Sequence, residues 1–235
     1  MELSGGNYDL VWRAHRDCGW SLGLLGDYDS AERQYRSCID VGEDFGAVEA
    51  QLRGRVGLTR IARVRGNLPL AERLGAELVE WAVAEGRQDL ESEARHELAV
   101  TLGVRGRHAE ALKQLSRAIP GPTQRDTDRL YHDIAFAHLQ MGNLAIARDI
   151  FLEFTRMSDN QHVALISRVN LIQVFAALGD RAEVESQRQT LEAEGLPNDL
   201  ATDFFMTLGR AYLSLGEPED ALPCFERASA IAERA

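Results

Sequence analysis

The pattern of small, apolar and polar positions along the chain repeats six times. One glycine recurs at intervals of 40, 40, 36, 37 and 37 residues, at Gly26, Gly66, Gly106, Gly142, Gly179 and Gly216. Five residues after each glycine stands a small apolar residue, at Ala31, Ala71, Ala111, Ala147, Val184 and Ala221. An apolar residue stands eight positions before each glycine, at Cys18, Leu58, Leu98, Ile134, Leu171 and Leu208. Self-similarity at a fixed period of this size indicates a repeat architecture.

Each repeat predicts two helices joined at the glycine, the first called A and the second B. Between the marker positions the apolar residues follow the i, i+3, i+4, i+7 spacing of a helix face, as at Leu98, Leu102, Leu112 and Leu115. Glycine tolerates the left-handed backbone that a tight turn between helices requires. The small residues on either side of it mark the place where helices A and B cross closely. The pattern therefore predicts an all-α protein.

These residues resemble the tetratricopeptide repeat (TPR), whose signature is W-x2-L-G-x2-Y…G-x-Y-x2-A-x3-F/Y-x2-A. Repeat 6 matches it best, at Leu208, Gly209, Tyr212, Gly216, Ala221, Phe225 and Ala228. Repeat 1 matches at Gly19, Gly26, Tyr28, Ala31 and Tyr35, whereas repeat 5 departs most, with Arg181, Val184 and Arg188 at marker positions. The resemblance implies an α-solenoid, a right-handed superhelix of about six helix-turn-helix repeats. The first two intervals exceed the family period of about 34 residues, which predicts longer B helices in those repeats.

No long or low-complexity linker interrupts the pattern, so we predict a single TPR-like repeat domain over residues 1–235. The six repeats are expected at about 12–45, 52–86, 92–122, 128–158, 165–195 and 202–235. Terminal repeats of such stacks need a polar outer face, and no capping helix follows repeat 6. Two explanations stand: the chain is a piece of a longer protein, or the last repeat packs against another copy.

Composition narrows the function classes. A net charge of -11 argues against direct binding to nucleic acid or to an anionic membrane. The chain shows neither a signal peptide nor an apolar run long enough to span a membrane. Cys18, Cys38 and Cys224 lack metal-binding spacing, so buried thiols and a cytoplasmic location are expected. Lys113 is the only lysine among 26 basic residues, a bias that favours a GC-rich bacterial genome.

Catalytic chemistry finds little support in the sequence. Phosphate-binding, zinc-protease and serine-hydrolase motifs are absent, so we predict a protein that is not an enzyme and holds no cofactor. One alternative is a metal site, because His96-Glu97 and His132-Asp133 stand at the same position of adjacent repeats. The other interpretation is that these pairs are polar residues that line the wall of a groove.

The resemblance implies that a concave groove, lined by the A helices, holds a partner. Transferred onto this register, the family's groove positions give the candidate peptide- or protein-binding residues Arg13, Arg16, Trp20, Arg53, Val56, Arg60, Arg63, Glu93, His96, Glu97, Arg129, His132, Asp133, Phe136, Val169, Asn170, Gln173, Met206 and Arg210. The same rule places Leu24, Val64 and Val104 at the last groove position of repeats 1, 2 and 3. Asn170 stands where an asparagine of this family often grips a peptide backbone.

Arginines outnumber carboxylates in this set although the whole chain is acidic, and Trp20 and Phe136 offer aromatic anchors. We therefore expect a protein or peptide partner with acidic and apolar side chains, bound by the adaptor or sensor part of a bacterial regulatory protein. Charge reversal at Arg60 and Arg63 is expected to abolish capture and leave the fold intact. Two alternatives remain. The arginines pair with carboxylates of the next repeat, such as Glu93 or Glu97, and only hold the stack. Or the chain is a scaffold that self-associates through its terminal repeats.

Overall fold

Twelve α-helices make up the described part of the chain in a computed structural model, which describes residues 7–118, 124–157 and 161–234 and shows no strand among them. The predicted all-α fold is confirmed. In unit 1, Met1–Gly121, the helices are α1 (Asn7–Leu24), α2 (Tyr28–Asp44), α3 (Val48–Val64), α4 (Leu68–Ala84), α5 (Gln88–Val104) and α6 (His108–Leu115). In unit 2, Pro122–Ala235, they are α7 (Gln124–Gln140), α8 (Leu144–Met157), α9 (Gln161–Ala177), α10 (Arg181–Glu194), α11 (Asn198–Ser214) and α12 (Pro218–Ala232).

The odd-numbered helices are the predicted A helices and the even-numbered ones the B helices. Each A helix begins four or five residues before the predicted start of its repeat. This extra turn forms because it carries core residues: Ala50, Leu90 and Leu200 all precede the predicted starts and are buried. The long first intervals arise from α2 and α4, which have 17 residues each against 14 in α8 and α10. The prediction of longer B helices is therefore confirmed.

The recurring glycine ends each A helix in the same way. At Gly26 the backbone has φ +80°, and the next amide, that of Asp27, donates to the carbonyl of Leu22 at 3.0 Å. This is the Schellman arrangement, which satisfies a carbonyl left open at the helix end. The Asp27 side chain then accepts from the amide of Ser30 and caps α2. One dipeptide thus ends one helix and begins the next.

Helix B of one repeat packs closely on helix A of the next, and Tyr35 shows how. Its ring, on α2, lies against Gly19 of α1 and Gly57 of α3, so a Cβ at Gly57 would overlap the ring and one at Gly19 would come within 2.9 Å of it. Beside it a Cβ at Gly54 would lie 2.6 Å from the carbonyl oxygen of Tyr35. Glycines on α1 and α3 therefore create the space that buries an aromatic ring of α2 between two repeats.

Unit 2 uses the same device with other residues. A Cβ at Gly209 of α11 would lie 2.7 Å from the Phe225 ring of α12, the positions that Gly19 and Tyr35 hold in repeat 1. Phe151, Leu171 and Phe204 are fully buried in one continuous core that runs through this unit. Each helix pair therefore completes its core only with the pair beside it.

Two glycine variants test this packing. We expect Gly57→Ala to lower the free energy of unfolding by about 1–3 kcal/mol because the added methyl overlaps the Tyr35 ring. Gly103→Ala is the matched control: Gly103 also lies in a helix, but an added Cβ meets nothing within 4 Å. It should be neutral or stabilise by roughly 0.5–1 kcal/mol. Urea unfolding followed by circular dichroism measures both, and equal effects of the two variants would contradict the packing described.

Candidate partner-binding face

The predicted groove residues lie on the A helices of both units. In each unit we call the surface that carries them the A-helix face of that unit: α1, α3 and α5 in unit 1, and, separately, α7, α9 and α11 in unit 2. The sequence places the residues on these helices correctly, but burial divides them into side chains that a partner can reach and side chains that hold the repeats together.

A buried carboxylate is the electrostatic centre of this face in unit 1. Glu97 of α5 is 1% exposed and accepts from two arginines of α3. Arg60 Nε donates to it at 3.0 Å, and Arg63 Nη1 donates to its other carboxylate oxygen. Arg63 also donates to the Thr101 hydroxyl at 3.2 Å. Both carboxylate oxygens are therefore engaged, as a buried charge requires.

The pKa of Glu97 reports which effect dominates there. Burial would raise the pKa of the carboxyl, but the positive charges of Arg60 and Arg63 and their hydrogen bonds outweigh it and hold the pKa below its usual value. Glu97 is therefore ionised at neutral pH and joins α3 to α5 across two repeats.

The other arginines of this face in unit 1 are also paired. Arg53 donates to Glu49 of its own helix at 2.8 Å and to Glu93 of α5. The remaining two lie on α1, where Arg13 pairs with Asp9 at 2.9 Å and Arg16 with Asp17 at 2.8 Å. Both stack on the ring of Trp12, with the guanidinium carbon 5.3 and 5.4 Å from the ring centroid. Five arginines thus meet five carboxylates, namely Asp9, Asp17, Glu49, Glu93 and Glu97.

This pairing changes the predicted character of the face. The excess of arginine that pointed to an acidic partner is balanced within unit 1, and the pairing of Arg53 and Arg60 with Glu93 and Glu97 is present. Charge reversal at Arg60 and Arg63 would leave Glu97 buried without its counterions, which costs about 3–5 kcal/mol. The expectation that this change leaves the fold intact therefore conflicts with the geometry.

Apolar side chains remain exposed on the same face. Trp20 is 52% exposed, and Leu24, Val64 and Val104, which hold one repeat position on α1, α3 and α5, are 71%, 56% and 58% exposed. We call these four residues the apolar row. Because Leu24, Val64 and Val104 recur at one position of successive A helices, they follow the direction in which the helices stack, and Trp20 lies one turn before Leu24 on α1.

Five predicted groove residues are buried and offer little surface to a partner: Val56, His96, Glu97, Val169 and Asn170. Val56 packs in the core of α3, α4 and α5, and Val169 in the core of unit 2. These side chains are buried because neighbouring helices pack closely against both sides of each A helix and cover them. These residues pack beneath the exposed side chains of the A-helix face and do not present a surface to a partner.

In unit 2 the predicted polar residues bond to one another. The Asn170 amide nitrogen lies 3.0 Å from His132 Nε2, and His132 Nδ1 lies 3.4 Å from Asp133. The His132 ring also packs edge-on against Phe151, with 5.7 Å between centroids. The Asn170 side chain, predicted to grip a peptide backbone, is thus bonded to α7. Phe136, Arg129 and Arg210 are exposed, whereas Gln173 and Met206 are half-buried.

The metal alternative finds no arrangement to support it in the described residues. No group of three or more His, Cys, Asp or Glu side chains gathers there in a way that could hold an ion. Glu97, one of the four proposed ligands, is occupied by two arginines.

Sequence reasoning missed a second set of ion pairs at the turns. Arg65, directly before Gly66, pairs with Asp29 and Glu32 of α2, and Arg105, directly before Gly106, pairs with Glu72 of α4. The signal was present: in both cases an arginine one residue before a repeat glycine meets a glutamate six residues after the preceding glycine. These pairs tie helix A of one repeat to helix B of the one before.

The prediction of buried thiols is right for two cysteines and wrong for one. Cys38 and Cys224 are buried, and burial raises the pKa of Cys38 to about 11. Cys18 is exposed, because it holds the position that contacts a preceding B helix and stands on the first described helix. None of the helices in residues 7–118, 124–157 and 161–234 is both long and apolar enough to cross a bilayer.

Comparisons with known proteins identify the repeat. Family models described as tetratricopeptide repeat match residues 12–37, 92–117 and 205–235, which lie in repeats 1, 3 and 6. Together with the helices and their register, these matches show that repeats 1, 3 and 6 are tetratricopeptide repeats. No curated protein sequence matches the chain significantly.

Solved structures agree on the fold. Pseudomonas aeruginosa pilF has a TM-score of 0.66 and 14% identity, over 93% of this chain and 90% of that chain. A putative kinesin light chain from Podosopora anserina with nearly identical TPR-like repeats has a TM-score of 0.62 and 17% identity, over 77% of this chain and 92% of that chain. At such identities the likeness establishes the architecture alone.

The Glu97 cluster leads to a pH-dependent prediction. We expect Glu97→Gln to lower the free energy of unfolding at pH 7 by roughly 1.5–3 kcal/mol because two charge-assisted hydrogen bonds weaken. Since the folded pKa of Glu97 is lowered, its contribution is present above the unfolded value of about 4.3 and is lost as the pH falls through the folded value. The difference in the free energy of unfolding between wild type and variant should therefore disappear in acid.

Glu49→Gln is the control for that measurement. Glu49 also pairs with an arginine, but its side chain is 41% exposed, so its loss should cost no more than about 1 kcal/mol. Urea unfolding at a series of pH values compares the two. If the loss of unfolding free energy in Glu97→Gln stays constant from neutral to acidic pH, the carboxylate charge is not what stabilises the cluster.

Proposed function

We propose that this chain is a non-enzymatic protein- or peptide-binding module whose unit 1 holds a partner on its A-helix face. Tetratricopeptide repeats support protein interaction or scaffolding in general. The observation that carries the proposal is the apolar row of Trp20, Leu24, Val64 and Val104, exposed on a surface whose charges are otherwise paired. Exposed aromatic and aliphatic side chains in a row, bordered by charged groups, have the composition of a binding interface.

The partner that fits this row is an amphipathic helix. Neighbouring packed helices lie about 8–10 Å apart, so equivalent residues on α1, α3 and α5 recur at that spacing. Two turns of a helix advance about 10.8 Å, so apolar residues seven positions apart would meet successive members of the row. Because five arginines and five carboxylates balance here, we propose that apolar contact supplies the affinity and charge the orientation.

The wider role follows from the same features. We propose that the module serves as the adaptor or sensor part of a bacterial regulatory protein in the cytoplasm. The Arg-rich, Lys-poor composition supports a bacterial source, and the acidic net charge argues against direct contact with nucleic acid.

A peptide-display experiment tests the proposal. Random peptides are selected against the purified protein, and the affinity of the enriched peptides is measured by fluorescence polarisation. We expect apolar residues at helical spacing, and a blue shift of tryptophan emission as the exposed Trp20 is covered. Trp20→Ala and Val64→Ala should each weaken binding by about tenfold or more, the scale of an interface anchor.

Val83→Ala is the matched control for that experiment. Val83 is 49% exposed but lies on α4, a B helix, so its truncation should leave the affinity unchanged. Selected peptides that bind the Trp20 and Val64 variants as tightly as the wild type would place the binding surface elsewhere and refute the proposal.

A further inference from the structure

The first described helix exposes four positions that are buried or half-buried in α3 and α5, and a fifth position that carries exposed arginines there. Leu10, Ala14, Cys18, Ser21 and Leu25 line one side of α1 and its end at helical spacing, and all are exposed, Leu25 at 81%. We call them the outer face of α1. Forty residues later the same positions of α3 are Ala50, Gly54, Leu58, Ile61 and Arg65, and in α5 they are Leu90, Ala94, Leu98, Thr101 and Arg105.

Inside the stack these positions contact the preceding B helix. Cys38 of α2 donates through Sγ to the carbonyl of Ala50 at 3.3 Å, and Ile61 packs with Ala31 and Tyr35. In the next repeat Leu98 lies against Gly75 of α4, and a Cβ there would come within 3.2 Å of it. The outer face of α1 is therefore a surface of the kind that receives a B helix.

The last helix exposes the complementary positions. Pro218, Leu222, Phe225, Ser229 and Ala232 of α12 correspond, 190 residues on, to Tyr28, Glu32, Tyr35, Ile39 and Gly42 of α2. In α2, Glu32, Tyr35, Ile39 and Gly42 contact α3 or the turn that follows it. In α12 four of the five side chains are exposed, and Phe225 is half-buried. We call these five the outer face of α12.

The two outer faces differ from the internal contacts of repeats 1 and 2 by one paired substitution. In repeats 1 and 2 the position six residues after the repeat glycine carries a glutamate, and the position before the next glycine carries an arginine: Glu32 pairs with Arg65, and Glu72 with Arg105. At the outer faces the two positions are Leu222, 60% exposed, and Leu25. Both members of the ion pair are thus replaced by leucine, and two leucines in contact bury apolar surface where the ion pair lies within the chain.

We propose that copies of this chain associate head to tail, with the outer face of α12 of one copy packed on the outer face of α1 of the next. The contact repeats between copies the B-to-A packing that joins α2 to α3 within the chain. Such an interface is heterologous, so it forms open filaments unless the rotation closes a ring. The inference goes beyond the proposed peptide binding and does not depend on it, because it uses a different side of α1.

Sedimentation velocity of the purified chain, without peptide, tests the proposal. We expect the sedimentation coefficient to rise with concentration between about 1 µM and about 1 mM, the range of moderate protein affinities. Because the copies carry a charge of -11 each, added salt should strengthen an apolar contact by screening their repulsion. A chain that stays monomeric throughout this range would overturn the proposal.

Substitutions at the two leucines test the pairing itself. Leu25→Arg and Leu222→Glu should each weaken association by about tenfold or more, since either one leaves a charge facing a leucine. The double variant rebuilds the Glu72–Arg105 pairing at the interface and should restore association, which salt now weakens in part. A double variant as weak as the single ones, or single variants that associate like the wild type, would overturn the pairing.

Two further measurements serve as controls. Leu178→Arg alters an exposed leucine at the same repeat position, but directly after the internal helix α9, so association should be unchanged. Cys18 lies in the proposed interface and is the exposed cysteine, whereas Cys38 and Cys224 are buried. Its reaction with a thiol reagent should slow as the concentration rises, and a rate independent of concentration in an associating sample would place the contact elsewhere. Circular dichroism of each variant shows whether its helices are intact.

Discussion

The close approach of each B helix to the next A helix is the constraint on which this structure depends. Tyr35 can be buried between repeats only because Gly19 and Gly57 leave room for its ring on either side. No single helix pair covers its own apolar surface, so the buried clusters of each unit join helices of neighbouring repeats. Small residues at the crossing points therefore matter more to this fold than any individual large one.

This constraint also decides the electrostatics of the A-helix face. Helices packed so closely bring charged side chains of successive repeats within reach of one another, and the arginines of α3 meet the carboxylates of α5. Glu97 is buried by the same packing and depends on Arg60 and Arg63 for its charge to be tolerated. A surface that has an excess of positive charge in the sequence is nearly neutral in the fold, and its apolar row becomes its main chemical feature.

The sequence was sufficient for the fold because glycine and alanine marks at fixed distances define the register. Gly26 and its equivalents fall at the turns, and the helices follow. The site was less predictable because the family rule fixes which helix a residue lies on and not how much of its side chain a neighbour covers. Val56 and Asn170 are buried by packing between helices, which depends on pairs of residues far apart in sequence. The Arg65 and Arg105 pairs could have been found from their recurrence.

The outer faces of α1 and α12 depart from the internal contacts of repeats 1 and 2 at two matched positions. A polar side chain would serve best on an outer face exposed to water, and Glu32 and Glu72 show that this chain has a glutamate at that position elsewhere. Leu222 stands there instead, and Leu25 stands where arginine pairs with that glutamate. Either leucine alone would be an ordinary exposed apolar residue. Within repeats 1 and 2 these two positions contact each other. The matched replacement of both by leucine therefore favours contact between the outer faces of α12 and α1.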